Sequence, residues 1–162
     1  LEEVSLIFTK ANADTEGRAI NRMIDDYVAG RGESAVAHTS LGQLKYLSAL
    51  KHVSGVIGNS SSGIIEAPSL KTGTVNIGGR QKGRVRAASV IDCKATSESI
   101  TNALQKLFSR EFSEKLQTVE NPYGGGLVAE QIINHIKNYP LENILRKKFF
   151  DYPSVRTLSE DI

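Results

Sequence analysis

A chain of 162 residues with 40% hydrophobic and 23% charged residues can bury one core, is too short for two full-sized domains and is too apolar to be disordered throughout. A net charge of +2 argues against nucleic acid or an anionic membrane as partner, since both call for clustered basic charge. No apolar run approaches the roughly 20 residues that cross a bilayer, and the single cysteine, Cys93, cannot pair within the chain. A reducing, cytoplasmic setting with no metal and no cofactor is therefore expected.

In chain order, Val4 to Thr9 is apolar and rich in β-formers, as a buried strand should be. A polar stretch leads to Arg18–Val28, where Ile20, Met23, Ile24, Tyr27 and Val28 recur at helical spacing and Gly30 supplies a stop. Ser34 to His38 predicts a second strand, and Ser40 opens a helix carrying Leu41, Leu44, Leu47 and Leu50 on one side. Val53 to Ile57 predicts a third strand, closed by Gly58-Asn-Ser-Ser-Ser-Gly63, with a short helix over 63–69. Strands follow at 72–77 and 89–93, then helices at 97–108, 110–117 and 126–138. Strands alternating with helices across short loops imply an α/β domain whose parallel sheet is covered on both faces.

Pro140 marks a boundary, so the chain divides into a domain over 1–138 and a tail over 139–162. Leu141 to Phe150 reads as a basic, apolar-striped helix ending in Phe149-Phe150. The first residue is Leu1, and the chain reads as a piece of a longer polypeptide.

In a parallel α/β sheet the ligand lies beyond the carboxyl ends of the strands. There Asn59-Ser60-Ser61-Ser62-Gly63 feeds a helix, and small hydroxyl residues with a glycine let a phosphate approach backbone N–H groups favoured by the helix dipole. Glu66 adds a carboxylate suited to the vicinal hydroxyls of a ribose, and Arg80, behind Gly78-Gly79, brings a forked cation to the same end. The plainer alternative is that the serines cap a helix and Glu66 is a solvated first-turn acid.

The run from Gly58 through Glu66, continued by Val75-Asn-Ile-Gly-Gly-Arg80-Gln-Lys-Gly-Arg84, resembles the signature of the hydrolysing UDP-N-acetylglucosamine 2-epimerases. Asn12-Ala-Asp14 and Ser40-Leu-Gly-Gln-Leu-Lys-Tyr46 match the family as well, and the agreement extends from Val4 to Ile136. The non-hydrolysing relatives differ, with Asp-Ser-Gly-Gly and Thr-Glu-Arg-Pro where this chain has Asn59 to Ser62 and Arg80 to Arg84.

The resemblance implies a Rossmann-like fold, as the C-terminal domain of a two-domain enzyme of the glycosyltransferase-B arrangement. It implies UDP-N-acetylglucosamine or UDP as ligand, with Ser60 and Ser61 on the phosphates and Glu66 on the ribose. Arg80 would lie near the nucleotide, Asn12 would reach it from the opposite loop, and Gly63 would permit close approach, with Asp14 and Arg84 in support.

The implied reaction eliminates UDP to a glycal and adds water, yielding N-acetylmannosamine for sialic-acid or related sugar biosynthesis. Its acids, and a histidine, would sit in an N-terminal domain that is the partner of this one, so this chain alone is expected to be inactive. His38, His52 and His135 match no catalytic position of the family. A homo-oligomer is compatible with the sequence. Two alternatives stay open, the donor-binding half of a glycosyltransferase of the same arrangement and a non-catalytic nucleotide-binding domain. A stand-alone flavodoxin-like or receiver domain is a further rival, and a receiver would need paired acids at the end of its first strand and an aspartate at the third, which Phe8-Thr9-Lys10 and Gly58-Asn59-Ser60 do not supply.

Overall fold

The computed structural model describes residues 4–11, 16–124, 126–142 and 144–146, which fall into two compact units, 1–125 and 126–162. The first unit is α/β, with parallel strands flanked by helices in the manner of a Rossmann-like domain.

Strand β1 (Leu6–Thr9) crosses over through helix α1 (Gly17–Ala29) to pair in parallel with β2 (Ala35–His38), in register Leu6 with Ala35. Tyr27 of α1 sets its ring edge-on to Phe8 of β1, with centroids 5.7 Å apart, which fixes the helix on the pair. Asn21 of α1 brackets the backbone of Ala11, accepting from its N–H at 2.8 Å and donating to its carbonyl at 3.1 Å. The chain leaving β1 is thereby tied to the helix just before Asn12. Asn12 and Asp14 themselves lie outside the described residues.

Helix α2 (Gly42–His52) leads to β3 (Val56–Gly58), which pairs with β4 (Thr74–Ile77), and β4 pairs with β5 (Val90–Cys93), all parallel. The central strand is buried on both sides, and its alternation assigns the faces. Val75 and Ile77 join Ile91 and Cys93 against Ala103 and Leu107 of α4 (Ser97–Leu107) and Phe112 of α5 (Arg110–Gln117), forming the main core. Thr74 and Asn76 face the other way, toward the short helix α3 (Ser62–Ile65). There a β-carbon on Gly63 would stand 2.5 Å from Thr74 Cγ2, so α3 packs this tightly because residue 63 has no side chain.

Three expectations need correction. The strands form a two-stranded and a three-stranded parallel sheet instead of one, since among the described residues no ladder joins β1 or β2 to β3, β4 or β5. The third strand begins late: α2 continues through His52, and Val53 N–H still donates to Ala49, so Val53 ends a helix. The helix foreseen over 63–69 is a single α-turn followed by a 3-10 turn at Ala67–Leu70. Pro68 accounts for the change, since its ring removes an amide donor and would collide with the carbonyl four residues back.

In the second unit, helix α6 (Val128–Asn138) follows Leu127 and carries Val128, Ile132, Ile133 and Ile136, all exposed. Beyond Pro140 the helix foreseen over 141–150 is not formed by its described residues, which make a turn with Ile144 N–H donating to Leu141 at 3.2 Å. Phe149 and Phe150 lie outside the described residues. Among the described residues no helix is long and apolar enough to cross a membrane.

Candidate functional site

Strand β3 ends at Gly58, whose φ of 150° turns the chain sharply out of the sheet. Gly58 stands in register with Asn76, so the chain leaves the sheet beside a buried amide side chain. Asn59, Ser60 and Ser61 then run into α3 at the carboxyl end of the sheet.

The three serines divide. Ser60 is exposed, and its Oγ accepts from the N–H of Ser62 at 3.3 Å, which leaves its own O–H free to act as a donor. Ser61 stands at the N-cap position with its hydroxyl making no capping bond, while its carbonyl accepts from Ile64 and Ile65. Ser62 is buried, and Tyr46 of α2 donates to its Oγ at 2.7 Å. Ser62 therefore locks α3 to α2, whereas Ser60 and Ser61 keep hydroxyls that helix capping does not use up.

Glu66 is exposed and closes the single turn of α3, its N–H donating to Ser62 at 3.0 Å. Gly63 is buried against Thr74, so its lack of a side chain is already required by packing, and what it can offer a ligand is backbone.

Strand β4 ends symmetrically. Gly78, with φ 76°, releases a segment that folds back over the first loop. Arg80 Nη1 and Gln81 Nε2 both donate to the carbonyl of Asn59, at 3.3 and 2.7 Å. Two loops that are distant in sequence are thus joined at one oxygen, and Arg80 is tied to the residue just before Ser60. Arg84 is exposed, and its carbonyl accepts from Arg86 Nη1 at 3.1 Å.

Several residues of this corner were not singled out from the sequence. Gln81 is buried, and its carbonyl accepts from Arg86 Nη2 at 3.0 Å. Arg86 Nε lies 3.1 Å from Asp92 Oδ2, and Asp92 Oδ1 accepts from Asn76 Nδ2 at 2.6 Å. Asn121 braces the far end of α3, donating to Ile65 carbonyl and Ser69 Oγ, while Tyr123 OH donates to the carbonyl of Val85. One signal was available: a polar Asn76 between Val75 and Ile77 in a buried strand demands a partner. Cys93 sits at the same end of β5, and burial together with the neighbouring Asp92 carboxylate pushes its thiol up from the ordinary value. It stays a neutral thiol near neutral pH and is a poor nucleophile.

Residues 1–137 match the profile of the family described as UDP-N-acetylglucosamine 2-epimerase. The chain belongs to this family. It is 44% identical over 152 residues to the GDP/UDP-N,N'-diacetylbacillosamine 2-epimerase (hydrolyzing) of Campylobacter jejuni, covering 93% of this chain and 39% of that protein. It is 37% identical to polysialic acid biosynthesis protein P7 of Escherichia coli, over 93% of this chain and 38% of that one. It is 31% identical to the UDP-N,N'-diacetylbacillosamine 2-epimerase (hydrolyzing) of Legionella pneumophila, over 90% of this chain and 37% of that protein. The chain thus spans less than two fifths of the length of these relatives. The hydrolysing branch of the UDP-N-acetylglucosamine 2-epimerase family, expected from Asn59–Ser62 and Arg80–Arg84, agrees with the names of two of the three.

Proposed function

We propose that the 1–125 unit binds the UDP moiety of a UDP-linked 2-acetamido sugar, as the nucleotide-binding half of a hydrolysing 2-epimerase. The observation that carries this reading is the meeting of the two loops at the carbonyl of Asn59, which ties Arg80 to the loop that runs on through Ser60 and Ser61 at the carboxyl ends of β3 and β4.

In this reading Ser60 and Ser61 donate to the diphosphate, Gly63 offers backbone at close range, and Arg80 balances the charge. Glu66 accepts from the two ribose hydroxyls, a pairing an ionised carboxylate is suited to make. Asn12, which follows Ala11 in the sequence, is assigned to the nucleotide-sugar. UDP then serves as the leaving group: the bond from the anomeric carbon to the β-phosphate oxygen breaks, its electron pair goes to UDP, and a proton leaves C2 to give the glycal. Groups that hold the diphosphate favour this step because negative charge grows there as the bond breaks. Water then adds across the double bond and yields the free 2-epimeric sugar. Proton transfers at C2 belong to the remainder of the enzyme, which the relatives' greater length supplies. Two of those relatives are named for UDP-N,N'-diacetylbacillosamine, so the sugar class here is taken to include both N-acetylglucosamine and its 4-acetamido, 6-deoxy derivative.

Titration with UDP tests the assignment. Glu66→Ala should weaken UDP binding by about 1–3 kcal/mol through loss of the ribose hydrogen bonds. Wild-type affinity in that variant, measured by calorimetry, would remove Glu66 from the site. Product analysis tests the reaction: a hydrolysing epimerase yields free sugar and UDP, whereas a glycosyltransferase joins the sugar to an acceptor.

A further inference from the structure

We propose that Gln81 is a positioning residue for the diphosphate, acting through the peptide group between Asn59 and Ser60. This rests on the reading of the corner as a UDP site and adds how its loop is held. The carbonyl of Asn59 and the N–H of Ser60 share one trans peptide plane and point in opposite directions. A donor that fixes the carbonyl therefore aims the amide. Gln81 Nε2 does this at 2.7 Å from a side chain only 3% exposed, while the exposed Arg80 reaches the same oxygen at the longer 3.3 Å. The two roles divide accordingly: Gln81 holds the peptide, and Arg80 is left to turn toward a ligand.

Gln81 is itself held from behind. Its carbonyl accepts from both Arg84 N–H at 3.3 Å and Arg86 Nη2 at 3.0 Å. Arg86 is aligned by Asp92, and Asp92 by Asn76, which is 1% exposed on the central strand. Asn76 and Asp92 are cross-strand partners in the β4–β5 register, so the last link of the chain is fixed by the sheet itself. A buried amide is a costly way to hold a loop that is only structural, since apolar packing would serve. Gln81 Oε1 is moreover a buried acceptor that finds no partner among the described residues. Local costs of this kind concentrate at functional sites.

The test compares two ligands that differ only in the diphosphate. Dissociation constants for UDP, and for uridine as its competitor, are measured together with melting temperature in the complete polypeptide encoded by the gene that carries this chain. Gln81→Met keeps the size of the side chain and removes the donor. It should weaken UDP about three- to tenfold, the effect of one lost hydrogen bond, and leave uridine within about twofold. Equal losses for both ligands, or no loss for UDP, would overturn the proposal. If Gln81→Met fails to give a cooperative melt, Asp92→Asn carries the test, with the same one-sided loss for UDP expected at smaller size and the same two results overturning it. Glu66→Ala, run in parallel, should weaken both ligands. Its failure to do so would sink the UDP reading itself, an outcome distinct from failure at Gln81.

Discussion

A methyl group at Gly63 would meet Thr74 Cγ2 at 2.5 Å, and Thr74 is a poor neighbour to displace. It is buried in the central strand and β-branched, so its χ1 has few alternatives. Gly63→Ala should therefore destabilise the protein by about 1–3 kcal/mol, the usual cost of overpacking, read as a lower midpoint in urea unfolding. A midpoint equal to wild type would mean that α3 can lift off β4, and the packing account of this glycine would fail. The distinction bears on the site, because from sequence Gly63 reads as room for a phosphate. The residues around it were legible to different depths. Ser60, Ser61 and Arg80 could be named from their places after strands, since a loop at the carboxyl end of a parallel strand is a local property of the chain. Ser62 could not be told from its neighbours, because its burial depends on Tyr46, which lies 16 positions away. Gln81 and Asp92 were illegible for the same reason: Gln81 acts on Asn59, 22 positions away, and Asp92 meets Asn76 only through the register of β4 with β5.

Helix boundaries set by side-chain caps were easier to read than those set by tertiary contact. Thr96 and Ser109 each accept from the amide three residues on, and α4 and α5 begin where the sequence places them. Ser109 does more than cap. It also donates to the carbonyl of Lys106, and its acceptor holds the N–H of Phe112, a residue of the main core. Ser109→Ala should cost about 1 kcal/mol, as loss of an N-cap does. Glu114→Gln in the same helix should change stability by less than about 0.5 kcal/mol, although it breaks the ion pair with Arg110, because that pair is exposed to water. Thermal melts of the two variants would decide, and a larger loss in Glu114→Gln than in Ser109→Ala would reverse the ranking. The start of β3 and the end of α3 misled for opposite reasons. Val53 is a strand-former captured by the last turn of α2, while Pro68 is a local breaker that switches the chain to 3-10 geometry inside a segment of helical pattern.

At the scale of the whole molecule the chemistry and the binding corner separate. Eliminating UDP requires a base at C2, and the later hydration requires a group to return a proton there. The corner at β3 and β4 offers hydroxyls, an arginine and a buried amide. Of its acids, Asp92 is tied to Asn76 and Arg86, and Glu66 is the one proposed for the ribose. Cys93 is held in its neutral form. Relatives carrying the named hydrolysing activity are more than twice as long as the stretch matched here, since this chain covers only 37–39% of them. The 162-residue chain by itself should therefore release no free 2-acetamido sugar from UDP-N-acetylglucosamine above the buffer rate, followed by NMR of the anomeric protons. On the proposed reading it should still bind UDP, weakly, because the loop proposed to hold the diphosphate is tied down by Gln81 at Asn59 and by Tyr46 at Ser62. Measurable sugar release would place a proton-transfer pair within these residues. That would shift the division of labour from a nucleotide-holding half toward a self-sufficient catalyst, and Glu66 would be the first group to re-examine as a base.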